Sequence, residues 1–438
     1  MKRPLSFLLW LWLLLWLTGC SQNAARDARV REALDNADPV AALAAFDEEE
    51  CASVDCLLQR GHVAYLAGDY RWAQRNLAAA EWLIQEHWTL NLGLEAASLA
   101  VNDGVRDYGG EQFEKVWVNF VRALGYLAAG EPWEAAVEGR AITRKLTTLS
   151  DQGDDLDGYH NDPFLQYFAG LLAEAEGEIN RAWINYRAAE RLYAAAEIYG
   201  AEAPASLGAD LIRAAEALSF NDDAAELRDH YSGEGAPGPG EGELIILVSE
   251  GLIPPKYSEN IAFPIFEDDD DDEDGLDAWH VASYSYDHWH APGRDVAYFV
   301  NIALPAIAEG TPAPMLDWSA GAWRGDLDLA ADLGHLSRRN LEERYATVVI
   351  RTLARGLIKY WAAEKAEEKK GEIAGLLVNL LGAATEWADT RGWASLPERI
   401  HMARVTLPAG RQRLRVGPAS GEVEIRSGEM NFLHLRLY

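Results

Sequence analysis

The sequence predicts a multidomain protein in which an all-α domain of helical repeats is followed by an α+β domain. Three observations support this prediction: an Ala- and Leu-rich front with recurring segments, a Gly- and Pro-rich run, and alternating apolar residues beyond that run. The predicted divisions are a signal peptide over 1–20, helical repeats over 21–231, a linker over 232–243 and the α+β domain over 244–438.

The N-terminus has the pattern of a secretory signal. Two cations precede an apolar run over 5–17, which is too short to cross a membrane because a span needs about 20 residues. The Leu-Thr-Gly-Cys segment that follows resembles the bacterial lipobox, which implies that Cys20 becomes the acylated, palmitate-bearing first residue of a mature lipoprotein. Ser21, where inner-membrane retention signals have Asp, implies the periplasmic face of the outer membrane. An ordinary secretion signal with an incidental cysteine is the alternative.

The chain is strongly acidic, with 70 Asp and Glu residues against 39 Lys and Arg and a net charge of −31. Such a charge repels phosphate backbones and anionic lipid headgroups. Nucleic acid is therefore excluded as an expected partner, and membrane binding through charge is disfavoured. Solubility, or adaptation to a salty medium, accounts for the acidity without any specific partner.

Cys51 and Cys56 are the cysteines that remain besides Cys20. An exported protein matures in an oxidising compartment, which favours a disulfide between two nearby thiols. So short a loop would add only about 2 kcal/mol of stability in the chain-entropy model. Two free thiols at the start of a helix are the alternative, and metal binding by this isolated pair is a weaker one.

Two segments of the front share one pattern of small and turn residues, GHVAYLAGDYRWAQRNLAAAE over 61–81 and GLLAEAEGEINRAWINYRAAE over 170–190. A weaker copy surrounds Gly130. The pattern resembles that of tetratricopeptide repeats, in which small residues let two antiparallel helices approach closely. The residues expected to pack or turn in this way are Gly61, Gly68, Ala73, Gly170, Gly177 and Ala182.

The spacing of the turn glycines departs from that of a regular array. Successive turns at Gly68, Gly130 and Gly177 lie 62 and 47 residues apart, whereas a regular tetratricopeptide array repeats after about 34. We therefore expect insertions between the units, and a helical bundle with accidental Gly-Asp turns is the alternative. A repeat array would present a concave face that holds a peptide or protein partner.

Beyond the linker the apolar pattern changes from helical to alternating, and a helical pair then interrupts the strands. Residues rich in β-branched and aromatic side chains, bounded by Gly, Pro or acids, predict the strands. The predicted elements are strands over 243–251, 280–286 and 295–304, a helix pair over about 337–388 whose first helix begins near Ser337 and whose second covers 371–388, and four short antiparallel strands from residue 403 onward.

Two segments of the back could bind a metal, but both patterns are incomplete. His288 and His290 would share one face of a strand with His280 nearby, yet zinc needs three or four ligands, and interfacial histidines are the simpler explanation. The acidic run 267–275 fits the first half of a calcium loop, but Val281 stands where a bidentate Glu is required. We therefore expect a solvated loop and no cofactor.

The sequence contains no local motif for a nucleophile, a phosphate loop or a zinc protease in its required context. The protein is therefore predicted not to be an enzyme, although a site assembled from distant residues would leave no local trace.

Two further segments contain charged residues that could act at a site. Glu111 and Glu114 stand at a predicted helix start, where acids favour the positive end of the helix dipole. Asp389, Arg391 and Trp393 follow a predicted buried helix. These three residues either fix a helix-to-strand corner through an ion pair or grip a ligand with an Arg beside an exposed Trp.

The sequence resembles a family of uncharacterised bacterial lipoproteins with tetratricopeptide-like fronts. The resemblance rests on these two segments, on the lipobox and on NDPFLQYFAGLL over 161–172. The resemblance covers most of the mature chain and implies an envelope protein without an assigned activity. Pro132, in the turn of the weaker repeat, departs from the pattern.

Two functions are consistent with these features. The first is a lipid-tethered periplasmic scaffold whose helical front binds another envelope protein. The second is a cell-envelope enzyme, or a protein that binds polysaccharide or peptidoglycan, which uses the Trp-rich C-terminal half. The candidate aromatic residues are Trp289, Trp318, Trp323 and Trp393.

Overall fold

The structure is a computed structural model that describes residues 25–46, 51–91, 108–151, 159, 161–195, 198–232, 237–266, 296–370 and 388–438. Among these residues, no helix combines the length and the apolar character that a membrane span requires. The described chain forms a helical N-terminal half and a C-terminal half that combines strands with a long helix, in line with the predicted all-α and α+β parts. The main sheet is mixed, and not purely antiparallel as predicted, because its first and last strands in the sequence pair in parallel.

The described part of the N-terminal half consists of five helical hairpins, each with a short turn between its first and second helix. The two helices of a hairpin pack on each other, and each hairpin packs on the next. The helices are α1 over 25–35, α2 (Pro39–Ala44), α3 (Val54–Leu66), α4 (Tyr70–Asn91), α5 (Gln112–Ala128), α6 (Pro132–Asp151), α7 (Pro163–Ala175), α8 (Ile179–Ala194), α9 (Ser206–Ala217) and α10 (Asn221–His230).

One turn geometry closes all five hairpins. At the centre of each turn stands a residue with positive φ, which is Gly68, Gly130 or Gly177 in three hairpins, Ala37 in the first and Ser219 in the last. The residue after it donates its N–H to a carbonyl five residues back, at 2.8 to 2.9 Å, and so closes the helix end. Glycine adopts the left-handed conformation without strain, which explains why the sequence pattern identifies three of the five turns.

Small residues let the paired helices approach closely. A buried alanine stands five residues after every turn residue and is at most 2 % exposed in each hairpin. On the facing helices, a Cβ atom at Gly61 would lie 2.7 Å from Leu77 Cγ, and one at Gly170 would overlap the ring of Tyr186. The six glycines and alanines named from the sequence thus lie at turns or at helix crossings. The five alanines are Ala42, Ala73, Ala135, Ala182 and Ala224.

Seven strands of the C-terminal half form one mixed sheet in the order β8-β7-β4-β5-β6-β1-β9. All its pairs are antiparallel except β1 with β9, which run parallel. Beyond β8, Gly428 donates its N–H to Glu241 of β1 at 2.8 Å, so the sheet curves almost into a barrel. The strands are β1 (Glu241–Glu250), β2 (Lys256–Phe266), β3 (Val296–Ile307), β4 (Leu316–Ala320), β5 (Trp323–Asp332), β6 (Arg399–Pro408), β7 (Gly410–Val416), β8 (Ala419–Ile425) and β9 (Met430–Leu437).

Strand β1 is buried on both faces. Leu244, Ile246 and Val248 point into the core enclosed by the curved sheet. Ile245 and Leu247 point the other way, into a core that also contains residues of most of the hairpins. The helical half and the sheet therefore share one continuous apolar core.

Strands β2 and β3 form a separate antiparallel ribbon. A long helix, α11 (Leu333–Lys370), lies against it, and Ile302 and Leu304 of β3 pack with Val348 and Val349 of this helix. The ribbon and α11 thus form a second, smaller packing unit beside the seven-stranded sheet.

Several predicted boundaries differ from the structure. Strand β1 begins at Glu241, so the last three residues of the predicted linker belong to the sheet. Helix α11 begins at Leu333 instead of near Ser337, because Asp332 accepts the N–H of His335 at 2.7 Å and ends β5 directly at a helix start. The predicted strand 280–286 and helix 371–388 lie outside the described residues, apart from residue 388.

We expect Gly170→Ala to destabilise the protein by about 1–3 kcal/mol, because the added methyl would overlap the buried ring of Tyr186. Urea unfolding measures this change. The control is Gly421→Ala on β8, where a Cβ atom meets no other atom within 4 Å. Equal unfolding midpoints for the two variants would show that the helix crossing tolerates a larger residue.

Candidate functional site

The first helices of all five hairpins face the C-terminal half. Each makes a direct polar contact with it, so the inner face of the helical array is covered by the protein's own chain. We call this contact surface the seam. Its polar contacts are Arg31 of α1 to the Ile253 carbonyl (3.0 Å), Tyr65 of α3 to His434 (2.6 Å), Glu114 of α5 to the Trp393 N–H (2.7 Å), Glu174 of α7 to Arg404 (2.8 Å) and Asp210 of α9 to Arg404 (3.1 Å).

Arg404 of β6 is the charge centre of one end of the seam. Its side chain is 3 % exposed and binds Glu174 through two N–H groups at 2.8 Å each. It also binds Glu243 of β1 at 2.7 and 2.8 Å, while Arg213 pairs with Asp210. Three carboxylates and two guanidinium groups thus pair with one another without a free group that could act on a ligand.

A hydrogen-bonded chain of neutral groups crosses the seam at α3. Tyr65 lies 2.6 Å from His434 Nδ1, and Ser249 Oγ lies 2.8 Å from His434 Nε2. Burial, together with the nearby charge of Arg436, lowers the pKa of His434 to about 3. The imidazole is therefore neutral at physiological pH, and the Ser-His pair is closed to a substrate because Ser249 is 4 % exposed.

The two charged segments that the sequence singles out meet where α5 contacts the C-terminal half. Glu111 accepts hydrogen bonds from Arg344 at 2.6 Å and Asn340 at 3.2 Å, and it also binds the ammonium of Lys256. Burial alone would raise the pKa of Glu111, but the charges of Lys256 and Arg344 lower it to about 2. Glu111 is thus an ionised carboxylate that joins α5 to β2 and α11.

Glu114 is the second carboxylate of this cluster. It accepts hydrogen bonds from the hydroxyl of Tyr108 at 2.6 Å, from the N–H of Glu111 at 3.0 Å and from the N–H of Trp393 at 2.7 Å. Burial, with the neighbouring charge of Glu111, raises the pKa of Glu114. Two carboxylates with opposite pKa shifts can form an acid–base pair, but here three protein donors hold Glu114 and leave it 2 % exposed. The cluster fixes the position of the loop before β6.

The structure favours the corner interpretation of Asp389 and Arg391. Arg391 binds Asp389 through Nε and Nη2, both at 2.8 Å, and its guanidinium lies 5.2 Å from the ring centre of Tyr108. The expectation of an exposed Trp393 beside it is wrong, because Trp393 is 1 % exposed and packs against His62. Glu114 accepts the backbone N–H of Trp393, and the indole packs into the core.

Other predicted residues have mixed outcomes. Cys51 and Cys56 form a disulfide with their Cα atoms 5.4 Å apart, which joins the segment before α3 to the first turn of that helix. Of the aromatic candidates, Trp318 is 7 % exposed and lies inside the curved sheet, while Trp323 is 44 % exposed. Within the described ranges, no group of three or more His, Cys, Asp or Glu residues is arranged to hold a metal. Cys20, Trp289, His280, His288, His290 and the acidic run 267–275 lie outside those ranges.

The second helices expose large apolar side chains on the outer face of the array, opposite the seam. Trp133 and Val137 of α6 are 68 % and 40 % exposed, and Ile184 of α8 is 55 % exposed. Trp82 of α4 is 62 % exposed, and Phe220, just before α10, is 38 % exposed. Exposed side chains of this size on neighbouring helices are typical of a surface that another molecule covers. Sequence reasoning missed this surface, although alignment of the hairpins on their turn residues would have revealed it.

Comparisons with protein-family models, with curated proteins and with solved structures find no match for this chain.

We expect Glu111→Gln to destabilise the protein by about 2–4 kcal/mol near neutral pH, because Lys256 and Arg344 would lose their buried counter-charge. The pKa of Glu111 in the folded protein lies below the ordinary value of 4.5. The stability that Glu111 contributes is therefore fully present above pH 4.5 and is lost as the pH falls toward 2. Urea unfolding at neutral and acidic pH tests both points. The control is Glu424→Gln, which removes the exposed pair with Arg411 and should change little. If Glu111→Gln lowers the free energy of unfolding at neutral pH no more than the control does, Glu111 is not a stabilising buried carboxylate.

His434 should make the seam sensitive to acid. Its folded pKa of about 3 lies below the ordinary 6.5, so the unfolded chain gains a proton first and stability falls with pH between these values. Between about pH 7.5 and about pH 5.5, the wild type should lose about 1 kcal/mol more than His434→Gln. The comparison variant is His230→Gln, an exposed residue of α10. Identical pH profiles of urea unfolding for wild type and His434→Gln would show that His434 takes up its proton in the folded state.

Proposed function

We propose that this protein is a lipid-anchored scaffold of the bacterial envelope, tethered through Cys20 to the outer membrane and facing the periplasm. Its helical half is a tetratricopeptide-like array that binds another envelope protein. No enzymatic activity is part of the proposal. The observation that carries it is the exposed apolar surface of the second helices, Trp133, Val137 and Ile184 foremost.

The repeated hairpin geometry supports the tetratricopeptide-like assignment. The same left-handed turn and the same buried alanine recur in five hairpins. Where glycine stands at the helix crossing, as at Gly61 and Gly170, the alanine follows 12 residues later, at Ala73 and Ala182. Arrays of this kind serve mainly as binding surfaces for proteins and peptides.

The position of the C-terminal half determines which face could bind. The inner face, which holds the partner in the simplest form of the hypothesis, is covered at the seam by residues of β1, β6 and β9. The outer face is free of the protein's own described chain at Trp133, Val137 and Ile184. Large exposed apolar residues with Arg beside them, such as Arg140 over the ring of Trp133, are typical of protein interfaces.

Photocrosslinking in living cells tests this function. A photoreactive amino acid at Val137 or at Ile184 should form an adduct with another envelope protein, because both side chains point to solvent on the outer face. Mass spectrometry of the adducts identifies the neighbour.

The matched control places the same amino acid at Met315, which is 93 % exposed but precedes β4 on the C-terminal half. We expect no protein adduct there. The scaffold proposal fails if Val137 and Ile184 give no protein adduct, or if Met315 gives the same adducts with equal yield.

A further inference from the structure

Aligning the second helices on their turn glycines reveals a surface of unusual composition. The positions 3, 7, 10 and 14 residues after the turn glycine lie on one side of a helix, because they differ by 3, 4 and 7 residues. We call these positions in α4, α6 and α8 the outer ridge. Its residues are Arg71, Arg75, Ala78 and Trp82 in α4, Trp133, Val137, Arg140 and Arg144 in α6, and Asn180, Ile184, Arg187 and Arg191 in α8.

The three helices of the outer ridge lie side by side. Lys145 of α6 binds Glu81 of α4 at 2.6 Å, and Thr143 of α6 donates to Asn185 of α8 at 3.2 Å. Positions 3 to 14 extend over about 16 Å along each helix at 1.5 Å per residue. The outer ridge is therefore one continuous surface that crosses three hairpins.

The outer ridge contains six arginines and no acid, although acids outnumber bases by 70 to 39 in the whole chain. The equivalent positions of α10 are Asp222, Glu226 and Asp229. The absence of acids is therefore confined to the helices of the outer ridge and does not extend to α10. A helical solvent-facing surface in so acidic a chain would ordinarily carry acids. The fold itself does not require arginine here, because these side chains contribute nothing to the buried core.

Four arginines of the outer ridge keep their charge available. Arg71, Arg75, Arg144 and Arg191 are exposed and form no ion pair with any described residue. The other two have partners, since Arg140 binds Glu176 at 2.8 Å and Arg187 binds Glu190 at 2.6 Å. Unpaired guanidinium groups between exposed Trp, Val and Ile side chains complement carboxylates that alternate with apolar groups.

We propose that the outer ridge binds an acidic protein segment whose carboxylates pair with these arginines and whose apolar side chains cover Trp82, Trp133, Val137 and Ile184. This inference rests on the proposed scaffold function and adds the chemistry of the partner. Charge complementarity also speeds encounter, so binding should weaken as ionic strength rises.

Fluorescence anisotropy with two labelled peptides tests the proposal on the mature chain. The peptides share one apolar pattern and carry either Glu or Lys at every polar position. The Glu peptide should bind at least about tenfold more tightly than the Lys peptide. The double variant Arg144→Glu, Arg191→Glu should weaken binding of the Glu peptide by about tenfold or more.

The control is the double variant Arg324→Glu, Arg413→Glu, which changes the net charge equally at two exposed arginines of the sheet that form no ion pair among the described residues. It should leave the affinity within about twofold of the wild type. The proposal is overturned if both reversals weaken the Glu peptide equally, or if the two peptides bind alike.

Two other occupants give different results. The chain could bind phosphatidylglycerol vesicles and neither peptide, and the Arg144→Glu, Arg191→Glu variant could lose the vesicle binding. This result would assign the outer ridge to a lipid surface and overturn the proposal. The chain could instead self-associate without binding either peptide, and the same variant could abolish this self-association. This result would assign the outer ridge to a second copy of the chain and would also overturn the proposal. A protein adduct at Val137 with no preference for the Glu peptide would refute the acidic partner alone, whereas the absence of any adduct would refute the scaffold function.

Discussion

The burial of β1 on both faces is the constraint on which the rest of the structure depends. Its even-numbered residues from Leu244 to Val248 complete the core of the curved sheet, and Ile245 and Leu247 complete the core of the helical half. Neither half can bury its apolar face fully without this strand, since alternate residues of a strand point to opposite faces. The two halves therefore form one folded body, and the inner face of the helical array is an internal surface.

Electrostatic complementarity adds specificity to this apolar contact. On the helical side the seam carries carboxylates, including Glu111, Glu174 and Asp210, and their cationic partners, Lys256, Arg344 and Arg404, belong to the C-terminal half. A buried pair contributes little over an apolar contact, but a carboxylate left unpaired would cost several kcal/mol. Pairing of this kind disfavours other registers of the seam, and the carboxylates that take part account for some of the chain's acidity.

Local features of the sequence predict local structure well. Glycine at Gly68 and Gly177 and alanine at Ala73 and Ala182 identify the hairpins, because only small residues permit the turn and the close helix crossing. The turns at Ala37 and Ser219 lack the glycine that marks the others, so the repeat pattern alone does not identify these two hairpins.

Contacts between distant residues could not be predicted in this way. Arg404 meets Glu174, 230 residues earlier in the chain, and no local pattern records such a pairing. Trp393 packs against His62 of α3, and its backbone N–H is bound by Glu114 of α5, so both contacts come from residues far away in the sequence. The helix crossing requires particular residues at buried positions such as Ala182 and Tyr186. It places no such requirement on the outer-ridge positions Ile184, Arg187 and Arg191. Folding does not constrain these outward positions through the core, and contact with the proposed partner would account for both their arginines and their exposed apolar residues.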